Sequence, residues 1–307
     1  MRVRVLGSGA GGGVPQWNCG CSNCRAVRAG STGVQARTQD SIAVSTTPGA
    51  WVVCNASPDI RRQIEDFPEL HPKAARHSPI AAIVLTNGDL DHVVGLFTLR
   101  ESHPLVVYAT EAVWRGLVDH NVMMRTLQRF EGHVTFRPLV PGVESPVVDA
   151  RGGDTGIFIT ARAVKGKLPI HLEGIVPSSP EQNVGVWLRD ATGTTIAYVS
   201  AAAELGEVER HTDGLDALLL DGTFWSSDEL SRPGLSKNRA EDMAHLPIGD
   251  RGGSLEQSSR LGARRRIYTH LNNTNPVLVE NSPERRAVEG AGWEIAWDGM
   301  DFETRAP

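Results

Sequence analysis

At least twelve short runs rich in β-branched and aromatic residues, each bounded by Gly, Pro or Asn, divide this chain of 307 residues. Runs of this length and composition are typical of β-strands. Isolated helical patterns separate some of them, and this alternation predicts an α/β fold in which helices cover sheets. The predicted strands are residues 3–6, 41–45, 51–55, 81–85, 105–108, 133–139, 157–164, 184–188, 195–199, 217–220, 266–268 and 293–297.

Two helices are predicted from capping residues and apolar periodicity. Ser57 precedes Pro58, which suits the first helical position, and apolar residues then recur on one face from Ile60 onwards. Thr110 caps a second segment, which runs to about Phe130 and carries an apolar stripe. Both segments are therefore expected to cover a sheet.

The charge balance argues against a nucleic-acid binder. The chain has 31 Lys and Arg residues against 36 Asp and Glu residues, a formal charge of −5, and thus no basic surplus for a phosphate-binding face. Because 40% of the residues are hydrophobic and only 22% are charged, the chain is also expected to fold rather than to remain disordered.

The chain has no internal repeat and no linker, which predicts a single domain over residues 1–307. The polar segment 226–251 has little strand signal and is expected to be irregular or to form short helices. No apolar stretch reaches the roughly 18 residues that a membrane span needs, and the first residues lack the apolar region of a secretory signal. We therefore expect a cytoplasmic protein without a membrane span.

Three of the four cysteines, Cys19, Cys21 and Cys24, fall within six residues. Disulfides are unexpected in a reducing compartment, whereas thiolates this close can converge on one tetrahedral Zn²⁺ ion. The pattern predicts a zinc loop at residues 19–24, with a fourth ligand from a distant segment or a partner subunit; the alternative is three incidental cysteines. Cys54 lies in a predicted strand and is expected to be a small core residue.

A second group of polar side chains follows the predicted strand 81–85. Asp89, Asp91 and His92 can each bind a metal ion, and Asn87 is a further candidate. Loops at strand ends are where ligands and metals usually lie in layered α/β folds. The alternative is that Asp89 or Asp91 caps the following helix.

Two more histidines lie in polar segments. His270 follows the predicted strand 266–268, and a histidine in such a place is, taken alone, more often structural than a ligand. His245 lies in the polar segment 226–251, and its position by itself indicates no function.

Together these segments resemble the metallo-β-lactamase superfamily, whose signature is HxHxDH. The resemblance rests on the many strands, on a late strand that ends in Thr269-His270, and on the run Thr86-Asn87-Gly88-Asp89-Leu90-Asp91-His92. The cysteine cluster is similar to that of a subgroup that includes the phosphonate-pathway cyclic phosphodiesterase. A family of pyrroloquinoline quinone (PQQ) biosynthesis proteins is matched further by the runs Gly9-Ala10-Gly11-Gly12-Gly13-Val14-Pro15-Gln16-Trp17-Asn18-Cys19 and Asn272-Asn273-Thr274-Asn275-Pro276.

The resemblance covers essentially the whole chain and implies an αββα sandwich, in which two mixed sheets pack face to face with helices outside. The metal site of such a fold lies at one edge, where strand-end loops meet. His270 matches the last ligand of the superfamily pattern, and His245 takes the place of a general acid in hydrolytic relatives.

Departures from the superfamily pattern change what the resemblance implies for the metal. Asn87 and Asp89 stand where the signature has two histidines. Ala201 and its neighbours offer no carboxylate where relatives carry a bridging aspartate. The segment 164–167 replaces a further histidine, for which His171 is the nearest candidate.

The remaining ligand set favours one ion over two. A dinuclear hydrolase needs a bridging carboxylate between ions about 3.5 to 4 Å apart. What this sequence retains is His92, His270 and the carboxylate of Asp91, the set typical of mononuclear non-haem Fe(II) centres that react with O₂. Asp89 or Asn87 is a candidate fourth ligand.

The resemblance implies three candidate functions. The first is Fe(II)- and O₂-dependent hydroxylation of the tyrosine ring in a cross-linked Glu–Tyr precursor of PQQ. Asp91, a metal ligand here, and His245, which would move protons or contact substrate, are its catalytic candidates, and Asp221 would orient a ligand. The second is Zn²⁺-dependent hydrolysis of a peptide or ester. The third is a carrier that helps PQQ or its precursor to reach the periplasm.

The resemblance also implies a structural zinc site that involves Asn273. The related subgroup takes its fourth zinc ligand from three residues beyond the active-site histidine, and here that residue is Asn273 instead of histidine. Either the Asn273 amide oxygen, a water molecule or a second subunit is expected to complete the tetrahedron. We expect the cysteine loop to lie near a homodimer interface.

Overall fold

The computed structural model describes residues 1–101 and 103–304. Its fourteen strands are β1 (Arg2–Gly7), β2 (Ser41–Thr47), β3 (Ala50–Cys54), β4 (Ile80–Val84), β5 (Leu105–Ala109), β6 (Val134–Pro138), β7 (Glu144–Val148), β8 (Asp154–Ala163), β9 (Val184–Asp190), β10 (Thr195–Val199), β11 (Ala217–Asp221), β12 (Arg265–Thr269), β13 (Glu294–Ile295) and β14 (Asp301–Glu303).

The described helices are mostly short. The α-helices are α1 (Ser22–Arg28), α2 (Ile60–Glu65), α3 (Leu90–Val93), α4 (Glu111–Val118), α5 (Gly206–Glu209) and α6 (Pro283–Gly290). Short 3₁₀-helices occur at Pro68–Leu70, Val94–Phe97, Val122–Gln128, Ile170–Leu172, Pro180–Gln182, Glu241–Met243, Glu256–Arg260 and Pro276–Leu278. None of these helices has the length and hydropathy needed to cross a membrane.

The strands form two mixed sheets of seven strands each. The first has the order β14-β1-β2-β3-β4-β5-β6, and the second has the order β13-β12-β11-β10-β9-β8-β7. Strands β3 to β6 are parallel neighbours in the first sheet, and strands β10 to β13 are parallel neighbours in the second. The remaining neighbours pair antiparallel.

Three apolar layers hold the sheets and helices together. Alternate side chains of both sheets, among them Val44 and Leu219, form one buried cluster between the sheets. A second cluster joins the first sheet to helices α2 and α4 through residues such as Leu117, and a third joins the second sheet to α6 through Val288. The order of layers is therefore α, β, β, α, which confirms the predicted sandwich. Cys54 is fully buried in the central layer, as predicted.

All twelve predicted strands are present, and two strands were not predicted. Strand β7 carries Pro146 and two polar residues, a composition tolerated at a sheet edge, which is where β7 lies. Strand β14 has three residues and occupies an edge of the first sheet. The predicted strand 293–297 is reduced to the two residues Glu294–Ile295.

The helix predicted to run from Thr110 to Phe130 is wrong in its length, because α4 ends at Val118. Asn121 follows in an extended conformation, and its side-chain oxygen accepts the N–H of Met123 at 3.2 Å. A short polar side chain that bonds to the backbone in this way competes with the helix. The chain then continues as a separate turn of 3₁₀-helix.

The predicted N-cap at Ser57 is also wrong. Helix α2 begins at Ile60, with Asp59 in the capping position. The Ser57 hydroxyl instead accepts the N–H of Asp59 at 3.2 Å and donates to the side-chain oxygen of Gln63 at 3.1 Å. In the polar segment 226–251 the only helix described is the 3₁₀ turn Glu241–Met243, in line with the expected irregular structure.

Candidate metal centre

The metal centre lies where parallel strands of both sheets end. Asp91 and His92 follow β4 and lie on the short helix α3. Asp221 is the last residue of β11, and His270 comes directly after β12. Because the carboxyl ends of parallel strands meet at one edge of a sheet, these four side chains converge from segments far apart in the sequence.

Helix α3 is not capped by an acidic side chain. Asp89 occupies its N-cap position without a side-chain hydrogen bond to the helix, and Asp91 lies inside the first turn. Simple helix capping therefore does not account for these carboxylates. Both line a cavity of about 530 Å³ instead.

The imidazole of His92 is fixed at one nitrogen and unpaired at the other. Its Nδ1 lies 2.7 Å from the side-chain oxygen of Asn87, which as an acceptor requires the proton on Nδ1. Its Nε2 is buried and has no hydrogen-bond partner among the described residues. A buried, unpaired lone pair is costly, and coordination of a metal ion would satisfy it.

His270 is oriented in the same way by Thr223. The Thr223 hydroxyl donates to Asp221 Oδ1 at 2.6 Å and accepts from Nδ1 of His270 at 2.8 Å. This leaves Nε2 of His270 facing Asp91, whose Oδ2 lies 3.2 Å away. Both histidines therefore carry the proton on Nδ1 and present Nε2 to the same carboxylate.

The three ligand atoms have the spacing that one ion requires. Asp91 Oδ2 lies 3.2 Å from Nε2 of His270 and 3.7 Å from Nε2 of His92. Ligand atoms bound about 2.1 Å from a common ion lie roughly 3 to 3.5 Å apart in tetrahedral or octahedral geometry. Small movements would bring all three into coordination, so the residues fit a single divalent ion.

Electrostatics keep Asp91 ionised despite its burial. Burial opposes the charge, but His92 and the hydrogen bond from His270 hold the pKa of the Asp91 carboxyl well below its usual range. Burial also opposes charge on His270, yet the bond and charge of Asp91 raise the pKa of His270 to about 9. Burial lowers the pKa of His92, which keeps this imidazole neutral and able to coordinate.

His245 forms a second polar unit with Asp221 beside the centre. Its Nδ1 lies 2.7 Å from Asp221 Oδ2, and its ring stacks at 5.5 Å on the ring of His270. Asp221 also accepts the N–H of Ala202 at 2.9 Å. His245 lines the cavity, so its remaining nitrogen, Nε2, is available to exchange a proton there.

The three clustered cysteines converge beside the same cavity, which Cys19 and Asn273 line. One sulfur from each of Cys19, Cys21 and Cys24 lies within 4.8 Å of the others. The predicted loop at residues 19–24 is only partly a loop, because helix α1 begins at Ser22 with Cys21 as its N-cap. Cys24 lies in the first turn of that helix and is buried.

Asn273 closes the cysteine group on its fourth side. Its amide nitrogen lies 3.1, 3.5 and 3.4 Å from the sulfurs of Cys19, Cys21 and Cys24. In a tetrahedral zinc site the distance between a sulfur and an oxygen ligand is about 3.5 Å. A half-turn of the Asn273 amide would put its oxygen at the fourth corner, so these residues fit Zn²⁺.

Comparisons with known proteins identify the family to which the chain belongs. Residues 50–271 match the model of the beta-lactamase superfamily domain. The coenzyme PQQ synthesis protein B of Methylorubrum populi is 41% identical over 314 residues, which cover 99% of this chain and 100% of the relative. That of Methylobacterium nodulans is 43% identical over 305 residues, covering 98% and 99%. The chain belongs to the coenzyme PQQ synthesis protein B family.

Solved structures of the family and of more distant proteins share this fold. The crystal structure of Zn²⁺-bound PqqB from Methylobacterium extorquens has a TM-score of 0.92 and 39% identity, and the match covers 99% of this chain and all of that one. A diphosphatase from the PhnP family has a TM-score of 0.66 at 21% identity, covering 99% and 98% of the chains. The second likeness concerns the fold alone.

Two candidate ligands of this family member are placed differently from the three described above. Asn87 lies at the centre, but its amide nitrogen donates to the Asn183 side-chain oxygen at 3.1 Å while its own oxygen meets His92. Asp89 faces the cavity, and burial, followed by the charge of Asp91, raises its pKa. Among the described residues, three groups of side chains could hold a metal ion: Cys19, Cys21 and Cys24; Asp91, His92 and His270; and Asp221, His245 and His270. His171 belongs to none of them.

Sequence reasoning missed Thr223 and Asn183. Thr223 follows Asp221 after an intervening glycine at the end of β11, and that position was the available signal. Asn183 gave no signal, since it lies in a polar turn before β9. Among the aromatic candidates, Phe224 lines the cavity with an edge contact to His245 at 5.8 Å, whereas Trp17 is 86% exposed.

Proposed function

We propose that this protein binds one catalytic divalent ion through Asp91, His92 and His270 and acts in PQQ biosynthesis. The observation that carries the proposal is the unpaired, buried Nε2 of His92 beside the Asp91 carboxylate. The biosynthetic role is inferred from the relatives, which are coenzyme PQQ synthesis proteins over their full lengths.

A single ion suits the residues around the centre better than a pair. Asn87 stands in place of a histidine, and its amide nitrogen and oxygen are hydrogen-bonded to Asn183 and His92. Ala201 stands where a bridging carboxylate is needed, and its carbonyl accepts from Asn183 at 3.0 Å. Without a bridge, a second ion about 3.5 to 4 Å away has no shared ligand.

The reaction that best suits two histidines and one carboxylate is hydroxylation with O₂. Fe(II) held by these residues would supply the activation of O₂. The overall reaction would place one oxygen atom in the substrate and reduce the other to water with two electrons from a reductant. We infer that the substrate is the cross-linked Glu–Tyr precursor and that its tyrosine ring is the site of oxidation.

The chain's own residues would position that ring and move its proton. Phe224 lines the cavity near His245 and offers an edge for a bound aromatic ring. Asp221 holds Nδ1 of His245, which directs the other ring nitrogen to proton exchange. Asp91, as a ligand, carries the charge that anchors the ion. His245 and Asp91 are therefore the proposed catalytic residues.

We also propose a structural zinc held by Cys19, Cys21, Cys24 and Asn273. The support is the convergence of three sulfurs around the Asn273 amide. Trp17 lies two residues before Cys19 and is 86% exposed, which favours a subunit contact at this place. A homodimer interface beside the zinc is therefore the expected assembly.

The experiment that tests the proposed reaction compares two metals. Protein purified without O₂ is loaded with Fe(II) or Zn(II), given a cross-linked Glu–Tyr dipeptide and a reductant, and followed by O₂ uptake and product mass. We expect O₂ uptake and a product heavier by oxygen only with Fe(II). Turnover with Zn(II) and no oxygen gain would support the hydrolase instead, and tight binding of PQQ without turnover would support the carrier.

A further inference from the structure

Lys167 is the one lysine or arginine among the described residues that line the catalytic cavity. The other charged groups on its wall are the carboxylates of Asp89 and Asp91 and the histidines of the centre. Lys167 is exposed and forms no ion pair or hydrogen bond within the described part of the chain. Lys167 therefore shares the cavity with the carboxylates of Asp89 and Asp91 and is free to pair with a bound anion.

Hydrogen bonds to Asn183 and Ala203 hold the loop that carries Lys167. Asn183 donates from its side chain to the carbonyl of Val164 at 3.1 Å, and its own carbonyl accepts the N–H of Val164 at 3.1 Å. The carbonyl of Lys165 accepts the N–H of Ala203 at 2.8 Å. Three backbone contacts thus fix the two residues that precede Gly166.

Gly166 brings this loop into close contact with Asn183. A Cβ atom at residue 166 would lie 2.6 Å from Cβ of Asn183, so only glycine permits the approach. Asn183 also accepts from Asn87, the partner of His92. The loop that positions Lys167 and the imidazole that faces the metal are therefore held by the same asparagine.

A lysine that lines a metal cavity, with no protein carboxylate paired to it, is suited to an anionic group of the substrate. The substrate inferred above is derived from two amino acids and carries carboxylates away from its phenol ring. The metal centre would take the ring side, and the cation would take a carboxylate.

We propose that Lys167 is a specificity-determining residue that pairs with a carboxylate of the amino-acid-derived substrate while its aromatic ring faces the metal centre. This inference rests on the proposed function for the nature of the substrate. Lys167 does not touch the reacting atoms. It therefore sets the affinity and selectivity for the free-acid form of the substrate, rather than the rate of the chemical step.

Lys165 provides a matched control two residues away. Its ammonium group pairs with Glu204 at 3.1 Å on the outer surface and does not line the catalytic cavity. Lys165→Met and Lys167→Met remove the same charge from the same loop, and Lys167→Arg keeps the charge at the cavity. Dissociation constants are measured by calorimetry on anaerobic, metal-loaded protein, with the cross-linked Glu–Tyr dipeptide and its carboxylate methyl ester as probes.

We expect Lys167→Met to weaken binding of the free acid by up to about fivefold, as is typical of a solvent-accessible ion pair, and Lys167→Arg to restore it. The ester should bind the wild type and Lys167→Met equally. In Lys167→Met the metal content and kcat should stay unchanged, while KM for the free acid rises. The preference of the wild type for the free acid over the ester should shrink at high salt.

Three results would overturn the role of Lys167. Lys167→Met could lose equal affinity for the free acid and the ester, Lys165→Met could lose as much affinity as Lys167→Met, or Lys167→Met could lose metal. The fate of the proposed reaction is read separately. If binding of the free acid depends on Lys167 but no O₂-dependent turnover occurs, the proposed hydroxylation is refuted and the pairing of Lys167 with a carboxylate is upheld. If O₂-dependent turnover occurs and does not depend on Lys167, the hydroxylation is upheld and the pairing is refuted.

Discussion

Nδ1 of His92 lies 2.7 Å from the side-chain oxygen of Asn87, a residue that stands where the superfamily signature has a histidine ligand. In this position the side chain of Asn87 orients the His92 imidazole. Its amide nitrogen donates to Asn183, so the orientation is fixed from both sides. This arrangement supports the proposal of a single ion.

Replacing Asn87 by alanine should weaken metal binding without removing a ligand. The His92 imidazole would lose the acceptor that fixes its tautomer and ring plane, and such losses cost about 10- to 100-fold in metal affinity. Competition with a chromogenic chelator measures the affinity for Zn²⁺ or Fe²⁺. Asn87→Asp keeps the acceptor and should retain most of the affinity, and the exposed Asn238→Ala should change nothing. Unchanged affinity in Asn87→Ala would contradict the positioning role.

Cys21→Ser should release one zinc ion per chain and favour the monomer. The thiolate of Cys21 is both a proposed zinc ligand and the N-cap of α1, so its loss disturbs the helix next to the exposed Trp17. Zinc is counted by mass spectrometry, and the oligomeric state by ultracentrifugation. Cys54→Ala lies in the central core and should keep the zinc. If Cys21→Ser leaves both quantities unchanged, the structural zinc and its link to assembly are wrong.

His245→Gln should lower kcat by about 10² to 10⁴ while the protein keeps its metal. His245 is grouped with Asp221 and His270, and it is not one of the three proposed ligands Asp91, His92 and His270. Its loss should therefore remove a proton carrier and spare those ligands. Loss of the metal together with activity would instead identify His245 as a ligand.

Glu229 should make the protein less stable as the pH rises. Its carboxylate accepts the N–H of Trp225 at 2.6 Å and bonds to Thr274, and burial raises the pKa of Glu229 to about 7. The unfolded chain releases this proton near pH 4.5 and the folded chain near pH 7, so stability falls between these values and the loss is complete above 7.

The variant Glu229→Gln cannot ionise and isolates this effect. Between pH 5 and pH 8 the wild type should lose about 2 kcal/mol more unfolding free energy than Glu229→Gln. Urea unfolding at several pH values measures it. Any lost hydrogen bond gives an offset that is independent of pH. A difference that stays constant with pH would show that Glu229 does not titrate in this range.

Strand runs and turn residues are local signals, and they predicted the α/β class and most of the strands, whereas the αββα sandwich was implied by the resemblance to the superfamily. Strand Thr195–Val199 was placed at its true bounds, while β7 was missed because Pro146 and its polar neighbours suit only an edge. Asp91 and His92 were ligand candidates from their place after a strand, and the superfamily pattern added His270. Thr223 and Asn183 could not be found in this way, since each acts through a contact with a segment distant in sequence.

The most direct test of the account is the origin of the oxygen atom in the product. Fe(II)-loaded protein is given the cross-linked Glu–Tyr dipeptide and a reductant under ¹⁸O₂ in ordinary water, and the product is analysed by mass spectrometry. The account predicts one ¹⁸O atom on the tyrosine ring, and loss of this product in His92→Ala and His270→Ala. A product that carries oxygen from water alone, or equal turnover with Zn(II), would contradict it.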